Sequence, residues 1–375
     1  MKVVFLSNSF NFHQMPFSEA MYKRLGDNYK FIRTRDISET RKKLGWTMDE
    51  YPEYVEYYDN ANKEKYIKEI NEADIVILGS VPKSHIKERI KNKKITFIYS
   101  ERLYKKPLKI YEWPIRVLLN FWRCGRFKSL YLLCASAYTA PDYAKTFTFI
   151  NKTYKWGYFP ECKTYDNIDE LITKKKKNSI MWCGRFIDWK HPEYAIELAK
   201  SLKESGYSFE LNMMGTGELE DEIKEKIFLY QLEEYVKFHG ARAPEQIREC
   251  MEKSEIYIFT SDRQEGWGVV LNESMNSGCA VVANNAIGSA PYLIKDGVNG
   301  ILYYDDKNSN ELIEKVKLLL DNEEKRREIS KNAYETIITE WNAENAADKF
   351  IVVSEKLLSG EKNAKPFYDG ICSPS

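Results

Sequence analysis

Two glutamates, Glu265 and Glu273, stand on either side of a short glycine-containing stretch in the second half of the chain. The stretch reads QEGWGVVLNESMNSG and follows the apolar run EIYIFTS. The run predicts a buried strand, so Glu265 falls in the loop at its carboxyl end, and VVLNESMN predicts a helix ending at Gly278. Ligands of open α/β sheets bind at such strand ends. The two carboxylates are therefore either solvated surface charges or two parts of one site.

The residues between the two glutamates are suited to an anionic ligand. Gly266 and Gly268 allow the backbone to come close to a bound group. The amides of Gly268, Val269 and Val270 open the predicted helix, where backbone N–H groups favour a phosphate. From one to two turns into that helix, Glu273 can accept two hydroxyl hydrogen bonds from a ribose.

A second motif, MWCGRFIDWKHPEYAIELAKSL, places two cations after another predicted strand. The strand ends at Gly184 and Arg185, and Lys190 follows just before a helix whose first turn contains Pro192. Arginine and lysine at a strand end can neutralise a diphosphate, although two solvated cations are the alternative. His191 is interpreted as a residue of the helix start and not as a ligand.

A third motif, LNMMGTGELEDEI, has Gly215 and Gly217 between a predicted strand and helix. It resembles a phosphate loop, but Glu220 occupies the last glycine position of the G-x-G-x-x-G pattern. The acidic first turn of the helix would repel phosphate. The motif therefore predicts a tight strand-to-helix turn.

Length and composition indicate an ordinary soluble protein with two domains. The chain has 375 residues, 43% of them hydrophobic and 30% charged, and a net charge of +1, which does not call for a nucleic-acid partner. Its seven cysteines include no C-x-x-C pair, so we expect reduced thiols in the cytoplasm and no structural zinc. MKVVFLSNSF is interpreted as a first strand and not a signal peptide, and no apolar stretch has the length of a membrane span.

Short β-rich runs alternate with helical patterns along nearly the whole chain. Several runs are apolar without alternation, as expected for strands covered on both faces, and the order predicts two doubly wound parallel-sheet domains facing across a cleft. The exception is a polar stretch that contains four consecutive lysines. The predicted organisation is residues 1–165, a linker at 166–178, and residues 179–341, with a carboxyl-terminal helix near 342–375 packing back on the first domain.

The motifs, taken in order, resemble those of GT-B glycosyltransferases of the large retaining family 4. The matching elements are GRF…WK, MMGTGELED, VKFHGA, TSDRQEGWGVVLNESMNSGCAVVA and DGVNGILY, which cover roughly residues 178–304. The first half, with SNSFNFHQMPFSEAMYKRL, YSERLY and KWGYFP, resembles transferases of bacterial surface-polysaccharide clusters. The resemblance implies a two-domain GT-B fold with the donor-binding site in the second domain.

The resemblance also implies roles for the motif residues. Arg185 and Lys190 would bind the diphosphate of a nucleotide-sugar, Glu265 the sugar hydroxyls, and Glu273 the ribose. Such enzymes need no metal and no cofactor, because cations and helix amides take up the charge. The donor is expected to be a UDP- or GDP-sugar, with UDP favoured. Residues 240 and 241 would meet the base. The further donor-binding candidates are Gly184, Gly240, Ala241, Gly266, Trp267, Gly268, Val269 and Val270.

The first half departs from the family pattern at two loops. Many relatives have a glycine-rich first loop, whereas this chain has SNSFNFHQ, which supplies Asn8 and His13 as candidates for acceptor binding. Relatives often present a histidine after the fourth strand, where this chain has Glu101 and Arg102. Glu101 would orient the donor sugar or the acceptor, or else pair with Arg102.

Residues 102–131 combine cations with aromatic side chains. One acidic residue, Glu112, accompanies eight basic ones, which gives a local charge of +7. This composition suits an anionic membrane surface or RNA, and also a helical hairpin with lysines outside. The resemblance favours the membrane, because many such enzymes glycosylate polyprenyl-linked acceptors. The basic residues are Arg102, Lys105, Lys106, Lys109, Arg116, Arg123, Arg126 and Lys128, and the interleaved aromatic residues are Trp113, Phe121, Trp122 and Phe127.

The resemblance implies a hexosyltransferase of EC class 2.4 that works in surface-polysaccharide biosynthesis. It would transfer a hexose or N-acetylhexosamine to a glycan or polyprenyl-linked glycan with retention of configuration. We expect it in the cytoplasm, peripheral at the inner face of the plasma membrane, without a nucleic-acid partner. The alternatives are a nucleotide-sugar 2-epimerase of GT-B fold and a non-catalytic glycan- or membrane-binding protein on the same scaffold.

Overall fold

A computed structural model describes residues 1–37, 48, 50–59, 61–107, 109–304 and 307–375. These residues form two units, one made of Met1–Glu161 with Trp341–Ser375 and the other of Cys162–Glu340. Each unit is built on one parallel sheet with helices along the chain between its strands. The predicted fold class, two Rossmann-like α/β domains, is confirmed.

The first unit contains a seven-stranded sheet in the order β3-β2-β1-β4-β5-β6-β7. β1 lies in the interior of the sheet between β2 and β4, and all five of its residues are buried, which explains its mostly apolar sequence. The chain order reverses between β1 and β4, so the loop after β1 opens at the switch point of the sheet. The strands are β1 (Val3–Ser7), β2 (Tyr29–Arg33), β3 (Val55–Tyr57), β4 (Ile75–Leu78), β5 (Thr96–Ser100), β6 (Leu130–Cys134) and β7 (Thr153–Lys155).

The second unit contains a six-stranded sheet in the order β10-β9-β8-β11-β12-β13. β8 and β11 are hydrogen-bonded neighbours, with Ile256 opposite Ile180 and Tyr257 opposite Met181. Because both strands run the same way, their carboxyl ends meet at one edge. The strands are β8 (Lys176–Cys183), β9 (Glu210–Met214), β10 (Val236–Phe238), β11 (Ser254–Phe259), β12 (Ala280–Asn284) and β13 (Ile301–Tyr303).

Helices connect most of these strands, as expected for parallel crossovers. None of the helices in the described ranges is both long enough and apolar enough to cross a membrane. The α-helices are α1 (Met15–Leu25), α2 (Lys63–Glu72), α3 (Lys87–Lys91), α4 (Trp113–Asn120), α5 (Thr139–Ala144), α6 (Ile168–Lys174), α7 (Pro192–Glu204), α8 (Glu220–Leu229), α9 (Pro244–Lys253), α10 (Val270–Asn276), α11 (Ala290–Leu293), α12 (Asn310–Asp321), α13 (Glu323–Thr339) and α14 (Ala343–Leu358).

The last helix, α14, belongs to the first unit and packs against α1. Arg24 of α1 binds Glu344 at 2.7 Å and Asp348 at 2.5 Å, and Phe17 lies with its ring centre 6.2 Å from that of Phe350. The chain therefore returns to the first unit after completing the second.

The stretch 166–178 is not the linker that its polarity suggested. Asn167 caps α6 by accepting a hydrogen bond from the Glu170 amide, and the lysine run passes from α6 into β8. The polarity arises because Lys174 and Lys176 are exposed and form ion pairs. Lys175, in contrast, is buried.

Lys175 holds together the ends of three elements of the second unit. Its ammonium donates to the carbonyls of Met251 at 2.8 Å, Glu252 at 3.2 Å and Ser277 at 2.9 Å. These carbonyls lie at the carboxyl ends of α9 and α10, where helix carbonyls lack internal partners. The buried lysine thus donates to the Glu252 and Ser277 carbonyls and adds a donor to the Met251 carbonyl, which also accepts from the Ser254 amide.

Replacing Lys175 by methionine should lower the free energy of unfolding of the second unit by about 2–4 kcal/mol, because three buried carbonyls lose a charged donor. Urea denaturation would measure the change. Lys174→Met is the matched control, since Lys174 is 71% exposed and pairs with Glu170 within one helix. Equal midpoints for the two variants would contradict the capping role.

Candidate functional site

Lys190 and Glu265 meet at the shared carboxyl edge of β8 and β11. Their side chains form an ion pair and are 13% and 12% exposed. Lys190 ends a single 3-10 turn after β8, and its carbonyl accepts a hydrogen bond of 2.6 Å from the Thr260 hydroxyl that follows β11. The structure therefore brings together two predicted site residues that are far apart in the sequence.

Glu265 is held in place by its own loop. The Ser261 hydroxyl donates to Glu265 Oε2 at 3.1 Å, and the Glu265 amide donates to the Asp262 carbonyl at 3.1 Å. One carboxylate oxygen is thus occupied by Lys190 and Ser261. The Glu265 carboxylate keeps the Lys190 ammonium oriented. An anionic ligand at Lys190 would share that ammonium with the carboxylate.

Gly268 is required by the packing of the loop after Glu265. Its φ is +85°, and a Cβ there would lie 2.6 Å from the Phe259 ring. Only glycine fits both conditions. The helix that follows, α10, begins at Val270 with Val269 as its N-cap residue and has only seven residues, so its dipole is small and the cations carry most of the positive charge.

Glu273 has an unusual environment for a carboxylate. It is partly exposed, although protein atoms surround it densely enough that burial raises its pKa, an effect that the charge of Arg248 opposes. In the described part of the chain, no hydrogen bond or ion pair involves its carboxylate oxygens. Such a group is available to hydroxyl donors of a ligand.

Arg185 is exposed at the end of β8, and within the described ranges its guanidinium forms no ion pair. Its Cζ lies 5.8 Å from the centre of the Trp189 ring, and Lys190 Nζ lies 4.9 Å from the same centre. Trp189 therefore lies close to both cations.

The glycines of the third motif allow close packing, as the tight-turn interpretation expected. A Cβ at Gly215 would lie 1.8 Å from the Gly184 carbonyl, and one at Gly217 would lie 2.4 Å from that of Phe186. The Gly240 carbonyl accepts from the Gly215 amide at 2.9 Å, so these loops are neighbours at the same edge. Gly240 has a φ of +67° with open space beside it.

Of the three remaining donor-binding candidates, Ala241 is exposed and Trp267 is not. Trp267 is 1% exposed, and its indole donates to Asn272 at 2.9 Å. The indole ring of this donor-binding candidate is therefore part of the core. Gly266 beside it is buried as well.

His191 starts α7, as predicted, with a left-handed φ of 48°. Its Nδ1 lies 2.8 Å from Glu193, and its Nε2 lies 3.9 Å from Asp262. Burial alone would lower the pKa of this imidazole, but hydrogen bonding and charge from Asp262 and Glu193 raise the pKa to about 9. The ring is therefore a cation at neutral pH, one residue from Lys190.

In the first unit, two of the acceptor candidates, Glu101 and His13, lie close to Tyr158. Glu101 follows β5 and accepts a hydrogen bond of 3.0 Å from Tyr158, whose ring centre lies 6.4 Å from that of His13. Lys105 lies 3.8 Å from Glu101. Asn8 follows β1, and its side-chain oxygen accepts from the Ser9 amide at 2.8 Å.

Arg102 does not pair with Glu101. It is 8% exposed, stacks over the Tyr138 ring at 4.5 Å, and lies 4.0 Å from the buried Asp142. Arg102 was a further candidate for the acceptor or the cleft, and the structure encloses its guanidinium between Asp142 and the Tyr138 ring. The other seven basic residues of segment 102–131 are exposed.

Residues 165–336 match the model of the family described as Glycosyl transferases group 1. The match includes both strands and both loops that carry Lys190 and Glu265. Residues 165–336 are a group 1 glycosyl transferase domain. The resemblance to glycosyltransferases seen in the sequence motifs is confirmed.

Relatives by sequence align over less than half of the chain. The chain is 27% identical over 169 residues to an uncharacterized glycosyltransferase of Methanocaldococcus jannaschii, which covers 45% of this chain and 46% of that protein. It is 33% identical over 128 residues to the amylovoran biosynthesis glycosyltransferase AmsK of Erwinia amylovora, which covers 33% of this chain and 31% of that protein. The chain thus spans less than half the length of the relatives it matches.

The fold likeness extends beyond the glycosyl transferase domain. The crystal structure of HepE from Anabaena in complex with UDP superposes with a TM-score of 0.66 at 17% identity, covering 96% of this chain and 99% of that one. This likeness concerns the fold alone, and it confirms the GT-B class for both units.

Three residues that position the site of the glycosyl transferase domain were missed by the sequence analysis. The Trp189 carbonyl accepts from the Asp262 amide at 3.0 Å, and the Trp182 indole donates to the Thr260 hydroxyl at 2.8 Å. Thr260 in turn holds the Lys190 carbonyl. Trp189, an aromatic residue next to Lys190, could have been recognised from the sequence. Thr260 could not, because a threonine at a strand end has no distinguishing pattern.

No group of three or more histidine, cysteine, aspartate or glutamate side chains in the described ranges could hold a metal ion. The charged groups of the candidate site are the cations Arg185, Lys190 and His191 with the carboxylates Glu265 and Glu273.

Asp262→Asn should shift the pKa of His191 from about 9 back toward its ordinary value, because the substitution removes one of two carboxylates that stabilise the imidazolium. NMR titration of the histidine ring protons would measure the change. His239, whose pKa is lowered by burial, is the internal control and should titrate as before. An unchanged His191 curve would contradict the pairing.

Proposed function

We propose that this chain is a glycosyltransferase that uses a nucleotide diphosphate sugar. The observation that carries the proposal is the ion pair of Lys190 and Glu265 at the shared carboxyl edge of β8 and β11, with Arg185 following β8 and Glu273 in the next helix, α10. The sugar would be a hexose or N-acetylhexosamine, and the acceptor a glycan or lipid-linked glycan in polysaccharide biosynthesis. The relationship to AmsK, named for amylovoran biosynthesis, supports this setting.

The donor would bind along this edge. Its diphosphate would bind Arg185 and Lys190, since a guanidinium and an ammonium both pair well with phosphate oxygens. The free carboxylate of Glu273 would accept the ribose hydroxyls, and the open side of Gly240 with the exposed Ala241 would meet the base. Crystal structures of HepE with UDP and with UDP-glucose support a UDP-sugar as the donor.

Glu265 would bind the sugar of the donor. Its second carboxylate oxygen can accept sugar hydroxyls while Lys190 and Ser261 hold the first oxygen. The two glutamates would then act as two ends of one ligand-binding surface and not as an acid–base pair.

The reaction would proceed with retention and without a metal ion. The bond between the anomeric carbon and the diphosphate oxygen breaks, and the acceptor hydroxyl forms its bond to that carbon on the same face. The leaving diphosphate oxygen takes the acceptor proton, so no side chain need act as a base. Arg185 and Lys190 would stabilise the negative charge that develops on the diphosphate.

The first unit would bind the acceptor through Asn8, His13 and Glu101. We place the protein in the cytoplasm, peripheral at the inner face of the plasma membrane, where lipid-linked acceptors are available. The exposed cations of segment 102–131 support this placement.

A thermal-shift screen of UDP-, GDP-, ADP- and dTDP-sugars tests the proposed function. A UDP-sugar should raise the melting midpoint most, because a ligand that binds the folded state stabilises it. NMR of the product with the stabilising donor should then show a retained anomeric configuration. Failure of every nucleotide would contradict the proposal, and a rearranged nucleotide-sugar would indicate an epimerase.

A further inference from the structure

Helix α4 carries an apolar stripe that faces solvent. Ile115, Leu118, Leu119 and Trp122 follow the i, i+3, i+4, i+7 spacing of one helix face and are 64%, 59%, 38% and 54% exposed. The helix continues past its end as a wider π-helical stretch, Phe121–Gly125, which includes Trp122. A stripe of this kind normally packs against the core of its own domain.

The core of the first unit is contacted by the opposite side of this helix. Asn120 and Cys124 are buried, and the Asn120 side chain donates to the Thr146 hydroxyl at 3.1 Å. The inward side of the helix is therefore anchored, and its outward side is the apolar stripe.

Aromatic residues and arginines lie beside the stripe. The Trp113 indole donates to the Lys145 carbonyl at 2.7 Å, and its ring centre lies 6.1 Å from that of Phe147. Phe147 is 67% exposed with a left-handed φ of 54°, a backbone conformation that a phenylalanine rarely adopts. Arg116 and Arg123, one helical repeat apart, lie on one flank of the stripe and are exposed.

We propose that α4 lies in the plane of an anionic lipid bilayer with this stripe inserted. The aliphatic side chains would enter the acyl region, and Trp113, Phe147 and the arginines would sit at the level of the headgroups, where aromatic and cationic side chains concentrate.

Charge complementarity favours an anionic surface. Seven exposed cations lie within segment 102–131, of which residue 108 is outside the described residues. In the described part of the chain, five of these cations form no ion pair: Lys106, Lys109, Arg123, Arg126 and Lys128. Each basic residue near such a surface strengthens binding.

The exposed aliphatic residues distinguish a bilayer from RNA. Single-stranded RNA is bound by cations together with aromatic rings on which bases stack. Ile115, Leu118 and Leu119 have no aromatic ring on which a base could stack, so their exposure does not contribute to RNA binding. Their burial in hydrocarbon, in contrast, is favourable.

The membrane site rests on the proposed function only for its biological purpose, because a lipid-linked acceptor would lie at the same bilayer surface. Binding to vesicles and binding to UDP-sugars are separate measurements on the full chain. A protein that binds a UDP-sugar but no vesicle would refute the membrane site and leave the proposed function intact.

Flotation with two kinds of vesicle tests the proposal. One kind is neutral phosphatidylcholine, and the other also contains about 40% phosphatidylglycerol, which makes its surface anionic. The wild-type chain should float with the anionic vesicles and not with the neutral ones. Leu118→Ser combined with Leu119→Ser should weaken binding at least about tenfold, because two inserted side chains are lost.

The matched control is Phe228→Ser combined with Leu229→Ser on α8 of the other unit. These residues are 75% and 71% exposed, so the control removes as much exposed apolar surface at a different place. Its vesicle binding should equal that of the wild type. Melting midpoints of both double variants would show that the chains are folded.

Trp122 reports the depth of the stripe. Its fluorescence, taken as the difference between the wild type and Trp122→Phe, should be quenched by lipids brominated along the acyl chain. Equal binding of the Leu118/Leu119 variant and the wild type would overturn the proposal. So would tighter binding to single-stranded RNA than to vesicles, or a stable dimer that the same substitutions dissociate.

Discussion

Replacing Lys190 by alanine should lower kcat/KM for sugar transfer about 100- to 1000-fold. The ammonium is the least exposed cation of the proposed diphosphate site, and its stabilisation of the leaving group cannot be replaced by water. Release of the nucleotide diphosphate in the presence of donor and acceptor measures the effect. We expect kcat to fall more than the affinity for donor, because the negative charge increases in the transition state.

Lys176→Ala provides the matched control for this variant. Lys176 begins the same strand β8 and pairs with Glu210 at 2.5 Å, but it is 59% exposed and lies at the opposite end of the strand. Its loss should leave kcat/KM unchanged, since exposed ion pairs contribute little. Equal activity of the two variants would remove Lys190 from the proposed mechanism.

A second substitution separates chemistry from stability. In Lys190→Ala, the carboxylate of Glu265 remains enclosed with Ser261 as its hydrogen-bond donor. Adding Glu265→Gln removes that charge and should restore the melting midpoint without restoring activity. The melting midpoint of Lys190→Ala itself decides between the two: if it lies well above the assay temperature, the loss of activity is not a folding defect.

Most strands of both sheets were predictable because parallel strands are covered on both faces. β12 reads AVVAN with every residue buried, and a run of this kind has few other uses in a soluble protein. β3 was missed, since Val55–Tyr57 lies at the sheet edge, is only half-buried, and is flanked by polar residues. An edge strand of three residues has no pattern that distinguishes it from a loop.

The members of the candidate site were predictable, but their contacts were not. Lys190 and Glu265 each follow a recognisable strand, yet their ion pair depends on β8 and β11 being neighbours in the sheet. Strand order is a tertiary property, and neither motif contains it. The positioning hydrogen bonds of Thr260 are likewise visible only once the loops are adjacent.

Two unexpected burials have one physical cause. Lys175 and Arg102 were assigned to a linker and to an accessible site because long cationic side chains are usually solvated. Each is buried where a nearby acceptor offsets its desolvation: carbonyls at helix ends for Lys175, and Asp142 with the Tyr138 ring for Arg102. Those partners are distant in the sequence, so local composition does not reveal the burial.

Glu273→Ala should weaken binding of the donor nucleotide about 10- to 100-fold, because two hydrogen bonds to a charged acceptor are lost. Isothermal titration calorimetry with the nucleotide diphosphate measures the change without requiring an acceptor. Glu273→Gln, which keeps the shape but not the charge, should show a smaller loss in the same direction. Affinity equal to that of the wild type would exclude a ribose role.

The same residue should affect the stability of the unliganded protein in the opposite direction. Burial raises the pKa of Glu273 above 4.5, so the folded chain holds this proton more tightly than the unfolded chain. Its contribution to stability is therefore present below the ordinary glutamate pKa and is lost as pH rises through the raised pKa. At neutral pH, Glu273→Gln should be more stable than the wild type, and the difference should shrink on acidification.

Glu249→Gln is the control for this pH dependence, since Glu249 is an exposed residue of α9. Urea denaturation across the acidic range should give parallel profiles for that variant and the wild type. A parallel profile for Glu273→Gln as well would show that its carboxyl group is not affected by burial.

Donor binding should then reverse the order of stability. At a donor concentration about 100 times its Kd, the wild type gains about 2.7 kcal/mol, whereas a variant that binds tenfold more weakly gains about 1.4 kcal/mol. Glu273→Gln should therefore melt above the wild type without donor and gain less when donor is added. This combination distinguishes a carboxylate that binds the ligand from one that stabilises the fold. Replacing a purely structural residue would lower the melting midpoint both without and with donor.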